Sequence, residues 1–573
     1  MNTGLSVATL LRARIGDDHL GYRFEDKEWT WHEVVSASAV RAALLRDLLG
    51  DRVLGDRVLG DGLDLDDDPP HIGVLLDNVP EYLFLAGGAA LIGATIVGIN
   101  PTRRGEALAG DIHHTRCRLV ITDASQAPLL PTDVPRVIID TPEYAALLAT
   151  HAPAGNDTAG NDRLANDTAA DDPDPARPLF LLFTSGSTSA PKAVVCTSGR
   201  MAGTGQRAAA GYGVTRDDVC YCCMPLFHGN ALMACWAPAL ATGATVVLRR
   251  KFSASGFLDD VRTYGCTYFT YVGRTIAYIL ATDASTTDRD HRLRLGFGTE
   301  ASAQDRDRFA TRFGCPLVEG YGSSESAVVI MRTPDTPPGA LGKPRPDDGS
   351  DIAVMDATTA NECPRAVFDE HGALVNGHDA IGELVNRAGG GVFEGYYAND
   401  AATADRLRGG WYWTGDLAYC DSNGFFYFAG RNADWLRVDS ENFATAPVEN
   451  ILHRFPGLVM VAVYPVPDIR TGDQVMAAVE MHPGTHFDPG GFVAFLRSQR
   501  DLGTKWAPRF VRITASIPLT ANNKVNKQPL RADAWRTTDE VWWRPGRDLE
   551  YRVLTDDDRT TMEAEMAAHG RRG

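Results

Sequence analysis

The stretch Leu179-Phe180-Leu181-Leu182-Phe183-Thr184-Ser185-Gly186-Ser187-Thr188-Ser189-Ala190-Pro191-Lys192 decides the fold. Its apolar start reads as a buried strand. The hydroxyl-rich run behind it then lies at the strand's carboxyl end, where α/β sheets bind their ligands. The hydroxyls of Thr184, Ser185, Ser187 and Thr188, the backbone N–H groups around Gly186 and the ammonium of Lys192 make a donor-rich loop suited to a polyphosphate. It is not a Walker A loop: Pro191 precedes the lysine where glycine should stand, and Ala193 follows it where Ser or Thr should.

The same grammar recurs on either side. Residues 71–76 read as a buried strand, a helix is expected from Pro80 to a glycine stop at Gly93, and a short strand covers 95–97. The uncharged run 82–99 approaches a membrane span in length. Gly87, Gly88, Gly93 and Gly98 interrupt it, so a buried helix and strand are expected instead. Residues 232–241, Gly243 and 245–248 repeat the helix, glycine, strand order. Alternation of this kind predicts parallel α/β layers.

Two segments read as insertions with little to bury: 49–68, a tandem of LGDRV units running into acids, and 151–178, which repeats Asn-Asp-Thr-Ala around Asn156 and Asn166. Both are expected to be mobile surface loops. A boundary falls at 431–434, giving domains 1–431 and 434–573. In the second, a helix at 446–454, strands at 459–465 and 474–481, a helix at 491–499, Trp542, Trp543 and a polar terminal helix predict a small α+β unit.

The chain has 573 residues, 44% of them hydrophobic and 23% charged, which is ordinary globular usage. A net charge of −18 argues against nucleic acid as a partner. Cys220, Cys222 and Cys223 give one C-x-x-C spacing without a second pair, so packed reduced thiols in a cytoplasmic protein are expected. No basic leader with an apolar run opens the sequence, and no transmembrane segment is expected.

Four further motifs follow the hydroxyl-rich loop. They are Gly320-Tyr321-Gly322-Ser323-Ser324-Glu325, Tyr412-Trp413-Thr414-Gly415-Asp416, Gly430-Arg431, and Pro518-Leu519-Thr520 through Asn523-Lys524-Val525. In this order they resemble the adenylate-forming superfamily of acyl-CoA synthetases, peptide-synthetase adenylation domains and luciferases. Residues 431–449 and 104–112 look like its fatty-acid-transport-protein and very-long-chain branch.

The resemblance implies a large N-terminal domain with layered sheets and helices, and a small mobile C-terminal lid carrying the catalytic Lys524. It implies ATP, Mg²⁺ and CoA. Thr184, Ser185, Gly186, Ser187, Thr188 and Lys192 would hold phosphates, and Thr184 with Glu325 the metal. Tyr321 would offer a face to adenine, while Gly298, Thr299, Glu300, Gly322 and Ser324 line the nucleotide. Asp416 and Arg431 would take the ribose, Phe227-His228 would stand between the acyl and nucleotide pockets, and Glu325 and His228 would be catalytic together with Lys524. Gly296-Phe297-Gly298 only mimics a dinucleotide fingerprint, and Lys505 and Lys527 read as solvated charges.

Several positions depart from the family: Ser189, Ala193, Ser326 and Ser440 replace usual glycines, narrowing space or backbone freedom. Ala433 is a small residue at the hinge that this branch tolerates. The leading expectation is an acyl-CoA ligase for a hydrophobic or steroid-like carboxylic acid, with a homodimer compatible. The alternative is a relative activating a small oxyanion such as nitrite for an aromatic amine, without CoA. A catalytically silent scaffold is a third reading, which intact Lys524, Asp416, Arg431 and Glu325 oppose.

Overall fold

The computed structural model describes residues 4–50, 69–152, 173–184, 192–346, 349–370, 372, 374–431, 435–438, 441–468, 473–503, 505–520, 524–546 and 548–568. Residues 51–68 and 153–172 of the two insertions lie outside the described residues; at the edges of the second, His151 ends a helix and Pro178 opens a strand, so these two belong to regular elements and not to a loop.

Strand His71–Leu75 pairs in parallel with Thr95–Gly98, which pairs with Pro178–Phe183. Leu119–Thr122 and Arg136–Ile138 extend this six-stranded sheet on the other side. Ala193–Thr197 closes it antiparallel to Pro178–Phe183, so the two strands that flank the hydroxyl-rich run form a hairpin pair. A nine-stranded sheet lies alongside. Its parallel centre runs Leu317–Tyr321, Leu295–Thr299, Tyr268–Val272, Val219–Cys222, Thr245–Leu248 and Leu20–Phe24.

Helices pack between the two sheets around one apolar core. Pro80–Ile92 starts on a proline, and Gly93 ends it at φ 70°, a left-handed turn that a Cβ would disfavour. Its residues are buried almost all round because helix Trp31–Leu49 crosses it closely. A Cβ on Gly88 would meet the Ala42 nitrogen at 2.8 Å, so that glycine serves helix packing. Among the described residues no helix is long and apolar enough to cross a membrane. The expected helix at 232–241 is in two parts, a π-helical turn Leu232–Trp236 followed by Ala237–Thr242.

A four-stranded antiparallel sheet, Ile352–Met355, Gly382–Asn386, Tyr412–Cys420 and Phe426–Arg431, completes the large body. The small body is built on the five-stranded sheet Leu458–Pro467, Asp473–Met481, Phe510–Ile513, Glu540–Trp543 and Arg552–Val553. Thr445–Leu452 and Pro489–Ser498 cover one face, and Lys527–Asp533 and Asp556–Ala568 the other, each face with its own core. The fold class is the one expected: α/β, with a smaller α+β body. All ten cysteines are free, nine of them buried.

Candidate active site

A cleft of about 2010 Å³ opens where the small body meets the large one, and both line it. From the large body come Thr184, Lys192, Thr299, Glu300, Tyr321, Gly322, Ser324, Glu325 and Asp416; from the small one come Leu519, Thr520 and Lys524.

Asp416 sits in strand Tyr412–Cys420, and the chain just before it is tightly specified. Gly415 takes φ 73°, and its N–H donates to Glu383 Oε1 at 2.7 Å. Thr414 Oγ donates to the Leu384 carbonyl at 2.8 Å and accepts the Asp416 N–H at 3.1 Å. Across the cleft floor, the Tyr321 hydroxyl donates to Asp416 Oδ2 at 2.6 Å. Burial, and then the Asp416 charge, push the Tyr321 phenol well up, so it stays a donor. Asp416 is also paired in register with Arg431 on the neighbouring strand.

Glu325 is buried, and its Oε1 accepts from the Tyr396 hydroxyl at 2.7 Å. Burial first, then the Glu325 charge, raise the Tyr396 phenol. The Lys192 ammonium stands 5.8 Å from the centroid of the same ring. Tyr396 therefore joins the loop lysine to the buried carboxylate, and Arg406 approaches its hydroxyl at 3.4 Å. Tyr396 and Arg406 lie in none of the motifs quoted above, and no local pattern marks them. Arg200 ties the hairpin to the next motif, donating to the Val195 carbonyl at 2.8 Å and to the Ser324 carbonyl.

Lys524 reaches over from the small body, and its Nζ lies 2.6 Å from Glu300 Oε1. Glu300 is held at φ 71°. The next residue is fixed from behind, because Glu319 accepts the Ala301 N–H at 2.5 Å and pairs with Arg306 at 2.6 Å.

His228 lies outside this lining. It is buried, with Nε2 unpartnered among the described residues, and its ring is 4.2 Å from that of Phe227. Burial, and then the Lys524 charge, lower it to about 3, so it is neutral at any ordinary pH.

Gly298 sits within strand Leu295–Thr299, where a Cβ would meet the Tyr271 carbonyl at 2.4 Å, so close strand packing also requires glycine there. One expectation about the site needs correction. Lys527 is not a solvated charge: it pairs with Glu449 at 2.8 Å and donates to Thr445 Oγ at 2.8 Å. Ser326 does occupy a position that suits glycine, at φ 53°. Ser185, Gly186, Ser187, Thr188, Ser189, Ala433, Ser440 and the side chain of Arg431 lie outside the described residues.

Residues 17–397 match the family of AMP-binding enzymes, and residues 447–524 match the AMP-binding enzyme C-terminal domain. The chain is 50% identical to a steroid-22-oyl-CoA synthetase of Rhodococcus jostii, over 99% of this chain and 98% of that one. It is 45% identical to a medium/long-chain-fatty-acid–CoA ligase of Mycobacterium tuberculosis, over 94% and 98%. Among solved structures, an anthranilate CoA ligase in complex with anthranoyl-AMP superposes with a TM-score of 0.74 at 19% identity, over 94% and 98%. That likeness is one of fold.

Proposed function

The chain belongs to the AMP-binding enzyme family, and from that premise we propose how its cleft works and which acid it takes. It is an ATP-dependent, AMP-forming acyl-CoA ligase. The acid we assign is hydrophobic and steroid-like, on the strength of the 50% identity to a steroid-22-oyl-CoA synthetase.

In the first step a carboxylate oxygen bonds to the α-phosphorus of ATP while the bond to pyrophosphate breaks. In the second, the CoA thiol sulfur bonds to the acyl carbon, the bond to AMP breaks, and the thiol proton is released. Negative charge develops on the phosphoryl oxygens in the first step, so a preplaced cation lowers the barrier. The observation carrying this reading is the Lys524 ammonium, delivered into the cleft by the small body.

Asp416 accepts the ribose hydroxyls, with Arg431 donating beside it. Tyr321, anchored through its hydroxyl, presents its ring to adenine. Thr184, Lys192 and the loop 185–188 hold the β- and γ-phosphates, while Thr299, Glu300, Gly322 and Ser324 line the nucleotide. His228, uncharged, takes an orienting role at the acyl side and no proton. The lid is residues 434–573 and the nucleotide body 1–431.

The donors at Glu325 fit Mg²⁺, which prefers a few hard oxygens and keeps its waters. The carboxylate is buried with a hydroxyl donor on one oxygen, and Thr184 lines the same cleft. Glu325 and Thr184 would hold the ion, which when bound offsets phosphate charge. A homodimer and a cytoplasmic location belong to the same proposal, checked by light scattering and cell fractionation.

The test incubates the wild type with ATP, Mg²⁺ and a steroid-22-oic acid, with and without CoA. A thioester identified by mass and strictly dependent on CoA is the expected product. Equal turnover without CoA would overturn the assignment of the acceptor.

A further inference from the structure

Helix Gly273–Leu280 of the large body abuts Glu300 at its start and, further along, the small body close to where the segment that carries Lys524 begins. At its start, a Cβ on Gly273 would stand 1.9 Å from the Glu300 carbonyl oxygen, so the helix abuts the segment bearing the lysine's partner. Further along, Ala277 packs into the small body's core with Val459, Met460 and Met476. Next to it, the Tyr278 hydroxyl donates to Glu480 Oε1 at 2.9 Å. Glu480 is on strand Asp473–Met481, only 7% exposed, and its Oε2 accepts the Ile517 N–H at 3.0 Å. Ile517 is the residue before Pro518, where the segment ending in Lys524 begins. Arg274 stacks on Tyr278 at 4.5 Å and reaches Ser516 Oγ at 3.5 Å.

One carboxylate thus takes a donor from each body, one on either oxygen. Bonds to a charged acceptor are stronger than neutral ones, and leaving that acceptor short of a donor in a buried site is costly. A long lysine side chain aims well only if its root is fixed, and effective positioning is lost with displacements near 1 Å. We infer that Tyr278 and Glu480 are positioning residues, which fix the root of the Lys524 segment against the large body and so serve adenylate formation but not thioester formation. The inference rests on the two-step reaction proposed above.

The test uses the full chain carrying Tyr278→Phe or Glu480→Gln, and the double variant. Pyrophosphate release is followed in single turnover with a steroid-22-oic acid. The second step is followed separately, from synthetic steroid-22-oyl-AMP and CoA. We expect pyrophosphate release to fall about tenfold in Tyr278→Phe and further in Glu480→Gln, with ATP affinity within about twofold of wild type. The double variant should be no slower than Glu480→Gln, since the two act through one contact. Thioester formation should stay within about twofold of wild type, because that step starts from the finished adenylate and does not draw on the Lys524 charge at the α-phosphate.

Equal losses in both steps would mark a general loosening and overturn the positioning role; so would variants that match wild type in both. Should Glu480→Gln fail to fold, Tyr278→Phe, which keeps the ring, decides alone. A wild type silent with steroid-22-oic, decanoic and palmitic acids would overturn the functional reading itself.

Discussion

Lys524 and Glu300 hold each other at 2.6 Å, yet their side chains are 31% and 45% exposed. An ion pair so open to water contributes below about 1 kcal/mol, so the lysine leaves its partner at little cost when charge develops on the phosphoryl oxygens. Glu300→Gln should therefore leave the melting midpoint nearly unchanged and hold or tighten ATP binding, measured by calorimetry. Lys524→Ala should abolish pyrophosphate release while sparing ATP binding and the use of preformed acyl-adenylate, because its charge acts on the developing transition state. His228 gives a pH prediction of definite sign. Its folded value near 3 lies below the value of about 6.5 for an unfolded chain. Between the two, the unfolded chain binds the proton that the folded chain refuses, so stability rises with pH across that window and is lost as pH falls. Urea midpoints at pH 5 and pH 7 should differ more in wild type than in His228→Asn.

Elements were legible where local chemistry decides them. Pro80 and Gly93 bracket a helix because one lacks an N–H that a first turn does not use and the other accepts φ 70°. The motif residues were legible for a different reason: Asp416, Tyr321, Glu325 and Lys524 each stand in a compact run whose spacing survives on one strand end or turn. What the sequence hid depends on long-range pairing. Nothing local to Tyr396 says that Glu325 lies beneath its hydroxyl, 71 residues away in the chain. Sequence could not show that Gly298 packs against the Tyr271 carbonyl of the neighbouring strand, because that contact is made across the sheet. Lys527 misled because its partner Glu449 comes from another helix. Gly273→Ala cannot be accommodated without moving the Glu300 backbone, and overpacking of this kind costs about 1–3 kcal/mol. Calorimetric melting should show that loss, and pyrophosphate release should fall with it, since Glu300 lines the nucleotide cleft.

At the scale of the whole molecule, charge is distributed against the average. The chain carries −18, yet among the described residues ten lysines and arginines and seven acids line the cleft. An anionic nucleotide approaching from afar meets repulsion, and meets attraction only inside. The two act over different distances, so salt separates them. At about 10 mM salt the Debye length is about 30 Å, and the whole acidic surface is felt; at about 100 mM it is about 10 Å, and the cleft is felt nearly alone. The association rate of ATP should therefore rise or hold between those concentrations, as the long-range repulsion is screened first, and fall only above them. Stopped-flow mixing with a fluorescent ATP analogue across that range measures it. A rate that falls steadily from the lowest salt upward would mean that the cleft's basic residues already dominate the field at long range, and that the acidic surface plays no part in the approach.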